Sequence, residues 1–489
     1  MKKLNILLIV VLLCAVGWAG ATYVTGGKVE SRYFSLIEQN GQWGPLTLTN
    51  QGYERGFLSS RAETLLKIIL PKPVEEPGGE PGTQTVQVLF EHVLHHGPLL
   101  FGADSAGGQS PSTGLALIET RLARLAPGDA ELEKLFREVP ELREAIATVK
   151  VDFDGSSKSL LRIPSFEKQA DDARITWGGL ASSVAVAPGD GTLSGDLEMP
   201  AMAVQTADGT LTWNGLRGRC DLVEVLPTLY VGTSRAEFDG MDLTVTGEGD
   251  KGRQEMRIKD AEIVSDSSFD EGLVQVNQVA SFDGLTVDGE DYGPLIIDID
   301  MKNLDGQALS EMQQQLQNVY RRAESFTPDE IAAEMIPVYS RFFTRLMAGK
   351  PEVNLKRVYL ATPRGEAEGT FRFKLTGQPE APLDSPAGLL PALQYLDAAL
   401  DVTVDESLVR AILTSQIENA LRAAAEASPQ VSFSDEEIAA MAEKQAGTQL
   451  EAWTAQNFIV REGDKVKTSA TFKEGELLVN GLPLSLAGG

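Results

Sequence analysis

The side chains best suited to chemistry in this chain are three histidines, His92, His95 and His96, and they are its entire supply. Imidazole is the commonest protein ligand for transition metals and Glu91 stands beside the first of them, so a metal centre is the sharpest reading of the cluster. Its spacing argues against that reading. On a β-strand successive side chains alternate, which places His92 and His96 on one face and His95 on the other, and Gly97-Pro98 then ends the strand. A structural or exposed role is expected for all three, and no metal ligand is assigned.

Other chemistry finds less support. Nucleophilic catalysis needs a Ser or Cys within reach of a base, and no G-x-S-x-G elbow occurs. Ser59-Ser60 and Ser156-Ser157 read as ordinary strand or turn residues, and Cys220 as a small, buried apolar side chain. Among 70 acidic residues no pair stands out as an acid/base dyad. Asp152-Phe153-Asp154-Gly155 and Asp298-Ile299-Asp300 invite calcium, but neither completes a twelve-position ligand loop; aspartates on the solvent face of a strand are the expectation. No phosphate-cradling glycine loop occurs. No catalytic or cofactor-binding residue is assigned, and the chain is expected not to be an enzyme.

A net charge of −27 excludes a broad basic footprint for nucleic acid, because such a surface repels phosphate. Docking on anionic headgroups is disfavoured for the same reason, except where Lys and Arg cluster. The two cysteines are Cys14, inside the N-terminal apolar stretch, and Cys220, so the body holds one thiol and no internal disulfide.

That N-terminal stretch follows Lys2 and Lys3 and is uncharged from Leu4 to Gly27, with Ile6 to Leu13 wholly aliphatic. Its length suits a helix crossing ~30 Å of hydrocarbon. The preceding lysines keep the N-terminus cytoplasmic, and Trp18 and Tyr23 fall where amphipathic rings favour the far interface. Ala19-Gly20-Ala21 has the form of a signal-peptidase site, but the stretch exceeds the ~7–15 residues of a signal core, so a retained anchor over 1–27 is expected. Leu13 before Cys14 fits a lipoprotein site poorly.

The elements beyond it are mainly strands. Trp43 to Ile69 and Thr85 to Val93 alternate between apolar and polar residues, and Lys72 to Gly82 is a loop rich in Pro, Gly and Glu. Asp129 to Ala147 has helical spacing broken by Pro140. Lys150 to Asp300 alternates over most of its length, and an aromatic-x-Gly-(Leu/Met) element recurs in it at Trp177, Trp213, Phe238 and Phe282. Its uneven spacing suits successive strands of an antiparallel meander, each carrying an aromatic to the core before a Gly bulge. Helices are expected at Gly306 to Ser325, from Thr327-Pro328 to about Met347, at Pro382 to Leu400, at Asp405 to Ala427, and from Ser434 to about Gln456. Strands at Glu352 to Leu360 and Gly369 to Leu375, and a hairpin of Val466 to Phe472 with Glu476 to Leu486, complete the chain.

The fold class is therefore α+β and β-rich: an extended antiparallel meander over 28–300 and a mixed region over 301–489, with long helices on the same sheet. One N-terminal transmembrane helix precedes both.

Several short motifs make the chain resemble the YdgA-like family of Gram-negative bacterial proteins, whose function is unknown. They are Tyr23-Val24-Thr25-Gly26-Gly27-Lys28-Val29-Glu30, Tyr53-Glu54-Arg55-Gly56-Phe57-Leu58-Ser59-Ser60, His96-Gly97-Pro98, Asn303-Leu304-Asp305-Gly306 and Leu478-Val479-Asn480-Gly481-Leu482-Pro483-Leu484. The resemblance covers the whole chain and implies an inner-membrane location with the body in the periplasm; it carries no catalytic residues. The functional expectation is a noncatalytic binding or envelope-maintenance protein that offers its sheet to a protein partner or to lipid. The competing readings are an envelope hydrolase or metal enzyme centred on His92 to His96, and a homo-oligomer using sheet edges or the Ala-rich helix around Ala411 to Ala427.

Overall fold

The computed structural model describes residues 2–43, 46–72, 82–102, 111–125, 137, 139–170, 173–246, 253–322, 328–377, 393–427 and 433–484. The expected helix over 129–136 and most of that over 382–400 lie outside these residues. So do the side chains of residues 1–15. Among the described residues no helix is long and apolar enough to cross a membrane. The β-rich α+β class is as the alternation implies, with large antiparallel ladders and few helices. The chain forms two compact units, one of residues 1–234 and 310–338, the other of 235–309 and 339–489.

The first unit opens with α1, Lys2–Asn40, which runs on past the uncharged stretch ending at Gly27 without a break. Strands β1 (Leu46–Glu54), β2 (Ser59–Lys72), β3 (Gly82–His96) and β4 (Ala116–Leu125) follow as an antiparallel ladder. It continues through β5 (Ile146–Val151) and β6 (Ser157–Ile163). Val29 of α1 packs on Ala62, Leu94 and Ala116 from β2, β3 and β4, with Tyr33 and Tyr53 around them. The helical spacing before Pro140 does not carry through to Ala147: Pro140–Glu144 is a single 3-10 turn and Ile146 already belongs to β5. There the pairing of β5 with β4 and β6 overrides a weak local helical preference.

The recurring aromatic-Gly element marks a crease. Six strands, β7 (Phe166–Ala170), β8 (Ala173–Trp177), β9 (Leu180–Ala187), β10 (Thr192–Met199), β11 (Met202–Thr206) and β12 (Gly209–Trp213), precede β13 (Leu216–Leu226). Each long strand is interrupted for two residues at the same level, because Leu180 pairs with Ile163, Trp177 with Phe166 and Met202, and Leu216 with Met199. Gly179 (φ +96) and Gly215 (φ +92) take left-handed backbone there, which an L side chain resists. At all four places the aromatic is half-buried, the next residue exposed and the glycine buried; the element breaks the strand at Trp177 and Trp213, whereas at Phe238 and Phe282 it lies inside an unbroken strand.

In the second unit β15 (Arg253–Asp270) pairs along its length with β16 (Leu273–Val287), after β14 (Leu229–Thr246). The remaining order along the chain, in which residues 310–338 of the first two helices belong to the first unit, is β17 (Leu295–Asp305), α2 (Gly306–Arg322), α3 (Pro328–Ala348), β18 (Glu352–Thr362), β19 (Gly365–Leu375), β20 (Leu396–Asp405), α4 (Glu406–Ala427), α5 (Asp435–Ala455), β21 (Lys465–Lys473), β22 (Glu476–Val479) and β23 (Leu482–Leu484). One strand, two helices and a hairpin thus occur twice in succession. In each case the strand pairs with the hairpin's first member, and β19 with β20 joins the two sets. An aspartate ends the strand both times: Asp305 Oδ1 accepts from Ala308 N at 2.7 Å, and Asp405 Oδ2 accepts from Glu366 N at 2.9 Å.

Two expectations are corrected here. Leu396 to Leu400 is strand rather than the end of a helix, because β19 and β21 bond to both of its edges and a short apolar run does not by itself distinguish the two states. Glu476 to Leu486 is not one strand, since Asn480 (φ +47) and Gly481 (φ +79) form a tight turn between β22 and β23. The helix starts at Pro328 and Asp435 are as expected. Ser434 Oγ accepts from Glu437 N at 3.2 Å while Glu437 accepts from Ser434 N, a complete capping box. Ser434→Ala should cost about 1 kcal/mol and speed amide exchange in the first turn of α5 about fivefold, measured by hydrogen–deuterium exchange.

Candidate functional site

Three of the short motifs that carry the family resemblance meet where α1 lies on the ends of β1, β2 and β3. Arg55, from the turn between β1 and β2, is the clasp. Its Nη1 donates to Glu30 Oε2 at 3.2 Å, its Nη2 donates to the Tyr23 carbonyl at 2.6 Å, and the guanidinium sits 4.7 Å from the Tyr23 ring centroid. Gly26 and Gly27 allow the approach: a Cβ at Gly26 would stand 2.7 Å from His96 Cε1, and one at Gly27 would stand 3.3 Å from Arg55. Beyond His96 the chain turns at Gly97 (φ +123) directly over Thr22. The Thr22 hydroxyl donates back to the Trp18 carbonyl at 2.8 Å.

The alternation read from the sequence is what the strand delivers. His92 and His96 face α1, and His95 faces the opposite side, where its Nε2 lies 3.4 Å from Glu119 Oε1 beneath Gly102. His96 and Ser60 are each 1% exposed, and His96 Nε2 is 3.1 Å from Ser60 Oγ. Burial, and after it the Arg55 charge, hold the His96 imidazole below its ordinary range, so it is neutral at pH 7.

His92 ends a chain of hydroxyls. Tyr33 Oη donates to Asn50 Oδ1 at 3.1 Å, so it accepts from Thr64 Oγ1 at 2.8 Å. Thr64, its proton committed, accepts from His92 Nε2 at 2.8 Å, and His92 Nδ1 accepts from Thr120 Oγ1 at 2.8 Å. The network thereby selects the Nε2–H tautomer of a neutral ring. Burial pushes the His92 pKa down to about 4. Burial also raises the phenols of Tyr33 and Tyr53.

The three histidines therefore do not converge, and among the described residues no three His, Cys, Asp or Glu side chains are placed to hold a metal. The other acidic motifs have local partners. Asp154 Oδ1 accepts from the amide and hydroxyl of Ser156, closing a turn, and Asp152 pairs with Lys150 at 3.2 Å. Asp300 lies 3.1 Å from Lys302, and Lys356 stands within 4 Å of both Asp298 and Asp300. Ser59 is opposite His95 in register, and Cys220 is half-buried across from Gly195.

Ser60 beside His96, like Thr120 beside His92, sets a hydroxyl within hydrogen-bond reach of an imidazole, and sequence reading passes the Ser60 contact over because 36 residues and a strand crossing separate the two groups. Its position explains why it need not be chemical: both groups are sealed under α1, where no substrate carbonyl reaches the hydroxyl. A fluorophosphonate probe is expected to leave Ser60 unlabelled in the folded protein, with peptide mass spectrometry as the check. Tyr33, Thr64 and Thr120 are likewise silent in the sequence, since each acts through a partner distant in the chain, and Arg55 and Gly26 stand out there only as parts of motifs with no role attached.

No solved structure matches the chain. It is similar to Protein YdgA of Escherichia coli (strain K12), at 23% identity over 515 residues that cover 99% of this chain and 95% of that protein. The family described as "Bacterial protein of unknown function (DUF945)" matches residues 1–487, so the chain belongs to that family.

Proposed function

We propose that this is a noncatalytic, membrane-anchored protein of the bacterial envelope, which offers its extended β-surface to a protein partner or to lipid. In this reading the uncharged stretch from Leu4 onward is the single span, the lysine end is cytoplasmic and the body is periplasmic. The observation that carries it is the continuity of α1. One helix runs from the lysines through the apolar stretch into the Arg55 clasp, with no break between anchor and body. His92 and His96, with the hydroxyls of Ser60 and Thr64, line the seat of that helix, and His95 on the other face pairs with Glu119.

A reporter that is fluorescent only in the cytosol, fused after Gly489, tests the orientation. It should stay dark in cells whose membranes hold the fusion. Cytosolic fluorescence from the fusion would overturn the reading.

A further inference from the structure

At the end of the sheet where α1 is first seated, the body leaves several apolar side chains in solvent. Val16 on α1, Phe57 and Leu58 on the β1–β2 turn, and Leu99 and Phe101 just after β3 are all exposed. They belong to one end of the first unit. Phe57 meets Trp18 edge-on at 6.3 Å between ring centroids, the Leu58 carbonyl accepts from His96 N, and Gly97 stacks over Thr22 two residues before Leu99. Leu99 and Phe101 flank Leu100, which is buried, and Gly102 after them packs over His95 and Leu117 on the face away from α1, so the segment wraps round the end of β3.

Length says what covers these side chains. From Leu4 to Trp18, where the helix first touches Phe57, α1 rises about 21 Å at 1.5 Å per residue. A bilayer presents ~30 Å of hydrocarbon. The body thus begins about 9 Å too early for a span that ends clear of it. A surface that dips 5–10 Å into the headgroup and acyl boundary would make up that difference. Tryptophan and phenylalanine at this level are the side chains such a depth favours.

We infer that Phe57, Leu58, Leu99 and Phe101 form a collar that inserts into the lipid interface around the exit point of α1, seating the body directly on the bilayer. The inference rests on the anchored reading above. It adds that the body itself is partly submerged, so that α1 crosses with its clasp at the membrane surface.

The test uses the full chain in a Cys14→Ser/Cys220→Ser background, reconstituted in phosphatidylethanolamine and phosphatidylglycerol vesicles. Single cysteines at Phe57→Cys and Phe101→Cys carry an environment-sensitive fluorophore, and Gln205→Cys on β11 is the aqueous reference. With the protein floating on the vesicles, both collar labels should emit to the blue of the reference. Lipids brominated near the glycerol end of the chain should quench them several-fold. Flotation with both collar labels as water-exposed as position 205 would overturn the collar and leave the anchor standing. Blue emission without quenching by brominated lipid would overturn it in favour of a protein contact. Failure to float would overturn the anchored reading itself. Phe101 lies on a separate segment from Phe57, after β3, so its label reports even where the Phe57 variant disturbs α1.

Discussion

Replacing Gly26 with valine is expected to lift α1 from the sheet and to lower the stability of the first unit by about 2 to 3 kcal/mol. A Cβ at this position would already stand 2.7 Å from His96 Cε1 and 2.9 Å from Nδ1. The ring has no room to retreat, because it is buried and held at Nε2 by Ser60. Either the helix shifts outward, which breaks the Arg55 bonds to Tyr23 and Glu30, or the ring leaves its pocket. Alanine is a gentler version, since removing glycine from a helix returns about 1 kcal/mol against the overlap. Denaturant midpoints give the loss, and chymotrypsin cleavage at Tyr33 or Phe34 reports the freed helix. His96→Ala removes the obstacle, so the double variant should be more stable than the two single losses added together, by at least about 1 kcal/mol. A Gly26→Val protein that unfolds and resists protease like the parent would show that α1 is not seated as described.

The strands of the body were readable because alternation is a local signal, and the starts at Pro328 and Ser434 because capping is one too. What escaped was set by pairing across distance. Leu396 to Leu400 has nothing in its composition to separate a buried strand from a buried helix; only the edges of β19 and β21 decide it. Asn480-Gly481, by contrast, was a local signal for a hairpin turn, and reading it would have divided the last strand correctly. The doubled arrangement of strand, helix pair and hairpin is invisible as sequence because the two sets share a connection order and an aspartate at the strand end, not a residue pattern. The junction of α1 shows the same limit. The motifs at Tyr23, Tyr53 and His96 were each visible, but their meaning as one clasp exists only where the helix lies across the strand ends.

The hydroxyl chain at His92 makes the second large effect one of pH. Its imidazole is held near 4 in the folded protein and titrates near 6.5 when unfolded, so between those values the unfolded chain binds the extra proton. Stability from this group is therefore complete above pH ~6.5, falls as acid is added, and has been lost by pH ~4. The difference amounts to about 3 kcal/mol if the full shift is realised. His96, also held low, adds in the same direction. The carboxylates oppose any simple reading of the total. A chain of net charge −27 repels itself less as its acids protonate. The informative quantity is thus the difference between the parent and His92→Gln, in which glutamine keeps hydrogen-bonding capacity toward Thr64 or Thr120 but has no proton to gain. The gap in unfolding free energy between the two proteins should narrow by about 3 kcal/mol from pH 7 to pH 4, with much of the change above pH 5, where most carboxylates are still ionised. A gap independent of pH would mean that His92 is not held neutral by its burial. The Nε2–H tautomer drawn from the Tyr33 to Thr64 relay would then have to be abandoned with it.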